Sequence, residues 1–187
     1  MCIRDRSYNN EQWVEKCLTS AIGQDYDNFD VVYINDCSTD NTASNVEKIV
    51  KESETLADIK IVNNETNRKA LYNLYHSIRD AKEETIIVTL DGDDWLPNDG
   101  VLKALDMIYN SDNVWMTAGS YIDNVSGMIS CPSIVNKYWD GNIRMKPWTI
   151  SHLRTFRREL FLKIKLEDLM DNDDYFYKFT FDQAMML

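Results

Sequence analysis

The chain is short of positive charge: 20 Lys and Arg stand against 31 Asp and Glu, for a formal net charge of -11. Attraction to a phosphate backbone draws on Lys and Arg to release counterions, so this balance counts against nucleic acid as a partner. Cysteine is scarce and unpatterned. Cys2, Cys17, Cys37 and Cys131 form no CxxC pair and have no His nearby, which speaks against both a zinc site and a disulfide framework. No apolar run approaches the roughly 18 residues of a membrane-spanning helix, and no secretory leader is visible. Internal repeats, low-complexity tracts and linkers are missing too. With 44% of its 187 residues hydrophobic, the chain suits one α/β domain with a sizeable core.

What is present is an alternation of periods. "NNEQWVEKCLTSAIGQ" spaces Trp13, Val14, Cys17, Leu18 and Ile22 at helical intervals and stops near Gly23. "FDVVYIN" reads as a strand, "DCSTDNT" as a polar turn, and "ASNVEKIVKESETL" as a helix with Val46, Ile49 and Val50 on one face. The same logic predicts a strand at "IKIVNN", a helix at "RKALYNLYHSIRDA" holding His76 as a packing residue, and a strand at "TIIVTL". A helix follows at "GVLKALDMIYNS" and a single strand at "VWMTAGSYI". Such alternation implies a mostly parallel sheet with right-handed crossovers. From Gly127 the pattern loosens into an irregular, partly β segment. "TFRRELFLKIK" then reads as helix, and an acidic loop leads to a last helix starting near Asp182. Both ends depart from a complete unit: "MCIRDR" is polar where an apolar first strand is expected, and "DQAMML" stops inside a helix. The expectation is a piece truncated at both ends, with a non-native leader and a compromised first strand.

Ligands of open parallel sheets bind beyond the carboxyl ends of the strands, where two polar clusters fall, "NDCSTDNT" and "DGDD". Along an extended chain alternate side chains share a face. Asp91 and Asp93 are therefore expected to converge, with Asp94 capping or orienting the loop. Convergent carboxylates suit Mg²⁺ or Mn²⁺, the remaining positions going to water and substrate phosphates. Asp-Gly is also an ordinary turn former, and Asp40 or Thr42 an ordinary helix N-cap. Asp36, Ser38, Asp40, Thr42, Ser44 and Glu47 even fill the ligand positions of an EF-hand calcium loop, but Asn41 stands where its sharp turn needs Gly.

Assembled in order, "SYNNEQWVEKCLTSAIGQDYDNFDVVYINDCSTDNT", "NETNRKALYN" and "TLDGDDWLP" resemble the family 2 glycosyltransferases. The resemblance covers nearly the whole chain. It implies a GT-A fold, that is, a Rossmann-like, mostly parallel central sheet with helices on both faces and an irregular acceptor-side segment. Residues 1–126 would form the nucleotide-sugar-binding part and 127–187 the acceptor-side part. The implied activity is transfer of a sugar, with inversion, from a nucleotide-diphosphate donor to a glycan, lipid or protein hydroxyl, with Mn²⁺ or Mg²⁺ as cofactor. Ser7, Tyr8 and Asn9 would lie along the nucleotide, Asp36 would bond the base, and Asn67 and Arg68 would line the donor side. Asp91 and Gly92 would contact the donor, and Asp91 and Asp93 would bind the metal. Asp182 in "FTFDQAMM" is the implied catalytic base, with Asp173 and Asp174 as fallbacks. "WTISHLRTFRRELF" adds His152 and Arg154, facing diphosphate or acceptor. Arg6 stands where relatives usually carry proline. The alternatives are a nucleotidyltransferase, which would want a Gly-rich, Lys-containing phosphate loop that this chain lacks, and a binding module without catalysis.

Overall fold

The computed structural model describes residues 1–111, 113–130 and 151–178. Its elements run in chain order as β1 (Cys2–Ser7), α1 (Val14–Ile22), β2 (Asp30–Asn35), α2 (Thr42–Glu52), β3 (Asp58–Asn63), α3 (Ala70–Arg79), β4 (Ile86–Asp91) and α4 (Val101–Ser111). Then come β5 (Met116–Gly119), β6 (Tyr121–Ile122), β7 (Ile129–Ser130), β8 (Ser151–Arg157) and the single turn α5 (Arg158–Phe161). Six strands make one sheet in the order β3-β2-β1-β4-β8-β5. The first four are mutually parallel, and β8 runs antiparallel to both β4 and β5. This is the mostly parallel α/β sheet expected from the alternating periods.

Two cores cover its faces. On one, Ile3, Val31, Tyr33, Val88 and Leu90 pack against α1, α2 and α4. On the other, Cys2, Val32, Ile34 and Ile87 pack against α3 and α5. Strand alternation assigns these residues to opposite sides, and helical spacing does the same for Val14, Cys17, Leu18, Ala21 and Ile22 of α1.

The polar leader does form the central strand, against the expectation of a compromised one. Cys2–Ser7 pairs in parallel register with Asp30–Asn35 on one side and, up to Arg6, with Ile87–Asp91 on the other. Backbone ladders on both edges are indifferent to side-chain polarity, and Cys2 and Ile3 supply an apolar residue to each face. The cost falls on Arg4 and Asp5, both buried. A second departure lies at "TFRRELFLKIK", expected to be helical. Ser151–Arg157 is instead a strand, because pairing between β4 and β5 outweighs a short apolar pattern, and only Arg158–Phe161 turns helical. Third, "VWMTAGSYI" is not one strand. The register shifts at Ala118/Gly119, and Tyr121–Ile122 turns away to pair with Ile129–Ser130. The EF-hand alternative also falls here, since residues 42–47 belong to α2 and a strand, not a helix, precedes the loop.

Candidate active site

From β1 the chain runs outward through β2 and β3, then crosses to β4 on the other side of β1. Where strand order reverses in this way, the loops leave in opposite directions and open a crevice beyond the carboxyl ends. Ser7, Asp36 and Asp91 all sit at that edge.

The loops after β1 and β2 are fastened to each other. Asn9 N–H donates to Ser38 Oγ at 3.0 Å, and Thr39 N–H returns a bond to Asn9 Oδ1 at 2.8 Å. Asn10 N–H donates to Thr42 Oγ1, Glu11 N–H to Asp40 Oδ2, and Asn41 to Glu11 Oε2. Non-glycine residues with positive φ, Asn9 (52°), Cys37 (65°) and Lys69 (71°), gather in these loops and the next one. Such conformations persist where surrounding bonds over-determine them, as they do around Asn9. Tyr8 projects outward from this frame, about half exposed.

Asp36 is buried and holds the third loop. Its Oδ1 accepts from Arg68 N–H and Asn64 Nδ2, and its Oδ2 from Lys69 N–H, each at 2.8 Å. A carboxylate offers about four acceptor sites, so one remains for a ligand donor. Asn67 Oδ1 accepts from Lys69 N–H, while the Arg68 guanidinium lies 5.3 Å from the Tyr72 ring centre.

Asp91 ends β4, and the next residues close a turn in which Asp94 N–H donates to the Asp91 carbonyl at 2.8 Å. That turn changes which carboxylates meet. Ligand atoms of Asp91, Asp94 and His152 all lie within 4.8 Å of one another, whereas Asp93 is exposed. The expected pairing of Asp91 with Asp93 assumed extended backbone through Gly92; the turn brings its first and fourth residues together and so adds Asp94 to the groups beside Asp91. His152 arrives through β8, whose antiparallel register sets Thr89 opposite Arg154 and so runs residue 152 toward residue 91. Its Nδ1 is 3.3 Å from Asp94 Oδ2. Burial raises the Asp94 pKa, as do the charges of Asp91 and Asp93, against the pull of His152 and Arg154. Arg154 is buried next to this cluster, its carbonyl accepting from Thr89 Oγ1.

Arg6 has a role that its sequence position did not disclose. Its Nη2 donates to Asp91 Oδ1 at 2.9 Å, a partly buried ion pair in the cluster. Beneath it, Cys17 Sγ lies 3.1 Å from Oδ2 of the fully buried Asp5. Burial pushes the Asp5 carboxyl up to about 7.

Gly92 is required by close approach. A Cβ there would lie 2.5 Å from Ser7 Oγ, 2.7 Å from Ser7 Cβ and 2.8 Å from Asn10 Nδ2. Because Ser7 is buried it cannot swing clear, and Gly92→Ala is expected to cost roughly 1–3 kcal/mol, the usual cost of overpacking. A thermal melt should show a transition lower by several degrees, and an unchanged one would mean that β1 yields freely.

Of the sequence-derived candidates, Ser7 and Asp91 end β1 and β4, and Tyr8, Asn9, Asp36, Asn67, Arg68, Gly92, His152 and Arg154 lie on the loops beyond the strands or on β8. Asp182 lies outside the described residues. Asp173 and Asp174 lie in a turn where Asp171 Oδ1 accepts from the backbone of Asp173 and Tyr175.

A family model described as "Glycosyl transferase family 2" matches residues 7–172. A Haemophilus influenzae protein named "Uncharacterized glycosyltransferase" is 28% identical over 141 residues, covering 75% of this chain and 42% of that protein. The S. aureus TarS 1-349 structure in complex with UDP-GlcNAc superposes with a TM-score of 0.72 at 23% identity, covering 99% of this chain and 51% of that one. The mannosyltransferase PcManGT from Pyrobaculum calidifontis, in complex with GDP-Man and Mn²⁺, gives 0.65 at 22% identity, covering 87% and 45%. These two likenesses establish the fold. The chain spans about half the length, or less, of the proteins it matches.

Proposed function

Since the chain belongs to glycosyl transferase family 2, we propose that the crevice at the ends of β1, β2 and β4 binds a nucleotide-diphosphate sugar and that the domain transfers the sugar to an acceptor hydroxyl. The observation that carries this reading is the convergence of Asp91, Asp94 and His152 at the strand-order reversal, beside the fastened loops 8–11 and 37–42. Two carboxylate oxygens and an imidazole nitrogen suit Mn²⁺ better than Mg²⁺, which prefers oxygen alone. The solved neighbour PcManGT, in complex with GDP-Man and Mn²⁺, is consistent with that choice. A divalent cation held there would serve as a Lewis acid toward the departing diphosphate.

The chain's own residues divide the remaining work. Ser7, Tyr8 and Asn9 follow the nucleotide, the free acceptor site of Asp36 takes a base N–H, and Asn67 and Arg68 close the donor side. Arg154 adds positive charge toward the phosphates. Transfer with inversion needs a base on the face opposite the leaving group, a role given to Asp182 in the acceptor-side part, 127–187.

Thermal-shift measurements with UDP, GDP and their sugars, each with and without Mn²⁺, test the central point. Stabilisation by at least one of these that grows with Mn²⁺ is expected. Silence from all of them would sink the reading.

A further inference from the structure

The face of the sheet that packs on α3 carries a pocket of about 240 Å³ between α3 and strands β1–β3, adjoining the donor side through Asn64, which bonds Asp36, and Tyr72, which lies against Arg68. Val32, Ile34 and Val62 form an apolar floor. Arg4 reaches it from the central strand. It is 4% exposed, and among the described residues its Nε has no hydrogen-bond partner and no carboxylate lies at ion-pair distance from it. Asn73 of α3 lines the same pocket, also 95% buried. Its Oδ1 accepts from Asn64 at 2.8 Å while its Nδ2 donates to nothing among the described residues.

A buried guanidinium that feels the charges of Asp30 and Asp80 but has no carboxylate at ion-pair distance, and a buried amide without an acceptor among the described residues, are each costly, and one ligand with two acceptor oxygens relieves both. We infer that this pocket is a second binding site, beside the donor crevice, for a small organic monocarboxylate whose oxygens bond Arg4 and Asn73 and whose apolar body rests on the valine and isoleucine floor. Single charge is preferred to double. Asp30, Asp58 and Asp80 stand around the pocket against Lys60 and Lys82, and Lys82 is already drawn to Asp30 at 3.3 Å, so a dianion would meet more repulsion than a monoanion.

The test is a titration of the ¹⁵N-labelled chain with sodium benzoate and, separately, with inorganic phosphate, at constant ionic strength adjusted with chloride. Benzoate is expected to shift the Arg4 Nε–H and Asn73 side-chain amide signals saturably, with Kd near or below about 1 mM. Asn73→Asp keeps the acceptor for Asn64 but replaces the donor by a negative charge, and benzoate affinity should fall at least tenfold. Lys60→Glu at the exposed rim guards against a folding defect at position 73 and should weaken benzoate severalfold. Phosphate binding as tightly as benzoate would overturn the monocarboxylate assignment. No saturable shift with either anion, or full affinity in both variants, would overturn the site.

Discussion

Asp91→Asn is expected to abolish the stabilisation that Mn²⁺ adds to a bound nucleoside diphosphate and to lower kcat/KM for sugar transfer by roughly 10²–10³-fold, the scale on which loss of one stabiliser of developing charge is felt. The substitution keeps an acceptor oxygen for Arg6 and removes only the charge, so the ladder between β1 and β4 is retained. Arg6 sharpens the expectation. Its guanidinium already neutralises part of the Asp91 charge, so a cation must share that carboxylate with it or displace it. Arg6→Ala should therefore tighten Mn²⁺ binding while Asp91→Asn loosens it, and isothermal titration with Mn²⁺ in the presence of UDP reads both. Equal Mn²⁺ affinity in the Asp91→Asn chain would remove Asp91 from the ligand set. Paired variants then resolve the second carboxylate. The turn at Gly92 favours Asp94 over Asp93, so Asp94→Asn should weaken Mn²⁺ more than Asp93→Asn, and the reverse order would restore the extended-chain pairing.

The second large effect concerns stability. Asp5 sits inside the central strand, fully buried, with its pKa pushed up to about 7 by burial, against the opposing pull of its bond with Cys17. The unfolded chain releases that proton near pH ~3.9. Between these values the folded state binds more protons than the unfolded one, so stability falls as pH rises. The contribution is complete below about pH 4 and lost by the time pH has passed about 7. Three pKa units correspond to roughly 4 kcal/mol, a large share of the ~5–15 kcal/mol that holds a domain together. Asp5→Asn cannot ionise. It should match the parent chain near pH 4 and exceed it by several kcal/mol at pH 8, as measured by urea unfolding at each pH. A difference that does not change with pH would show that Asp5 finds a compensating donor when charged.

Asp5 also shows why sequence reading misjudged the first strand. "CIRDR" has no strand-like apolar pattern, and from composition its charges belong in solvent. Parallel ladders on both sides place it at the centre, so Arg4 and Asp5 enter the interior because of their neighbours, not their own preference. "TFRRELF" failed in the same way, its short apolar spacing being outweighed by the open edge of β4 that β8 fills.

Much of the remainder was legible. Period alone marks α1, β2, α2, β3, α3, β4 and α4, because each buries one stripe or one face and the spacing of apolar residues records which. The two polar clusters after β2 and β4 also declare their position, since parallel strands open their ligand crevice at the carboxyl ends. The sequence by itself therefore determined the α/β framework, the family, and Asp36 and Asp91 as residues of one edge. Only the tertiary structure decided which groups face one another there. A turn brought Asp94 to Asp91, an antiparallel strand from about 60 residues downstream delivered His152, and the register of β1 set Arg6 against Asp91. Those contacts depend on backbone direction and on pairing between distant segments, and local spacing of residue types carries no record of either.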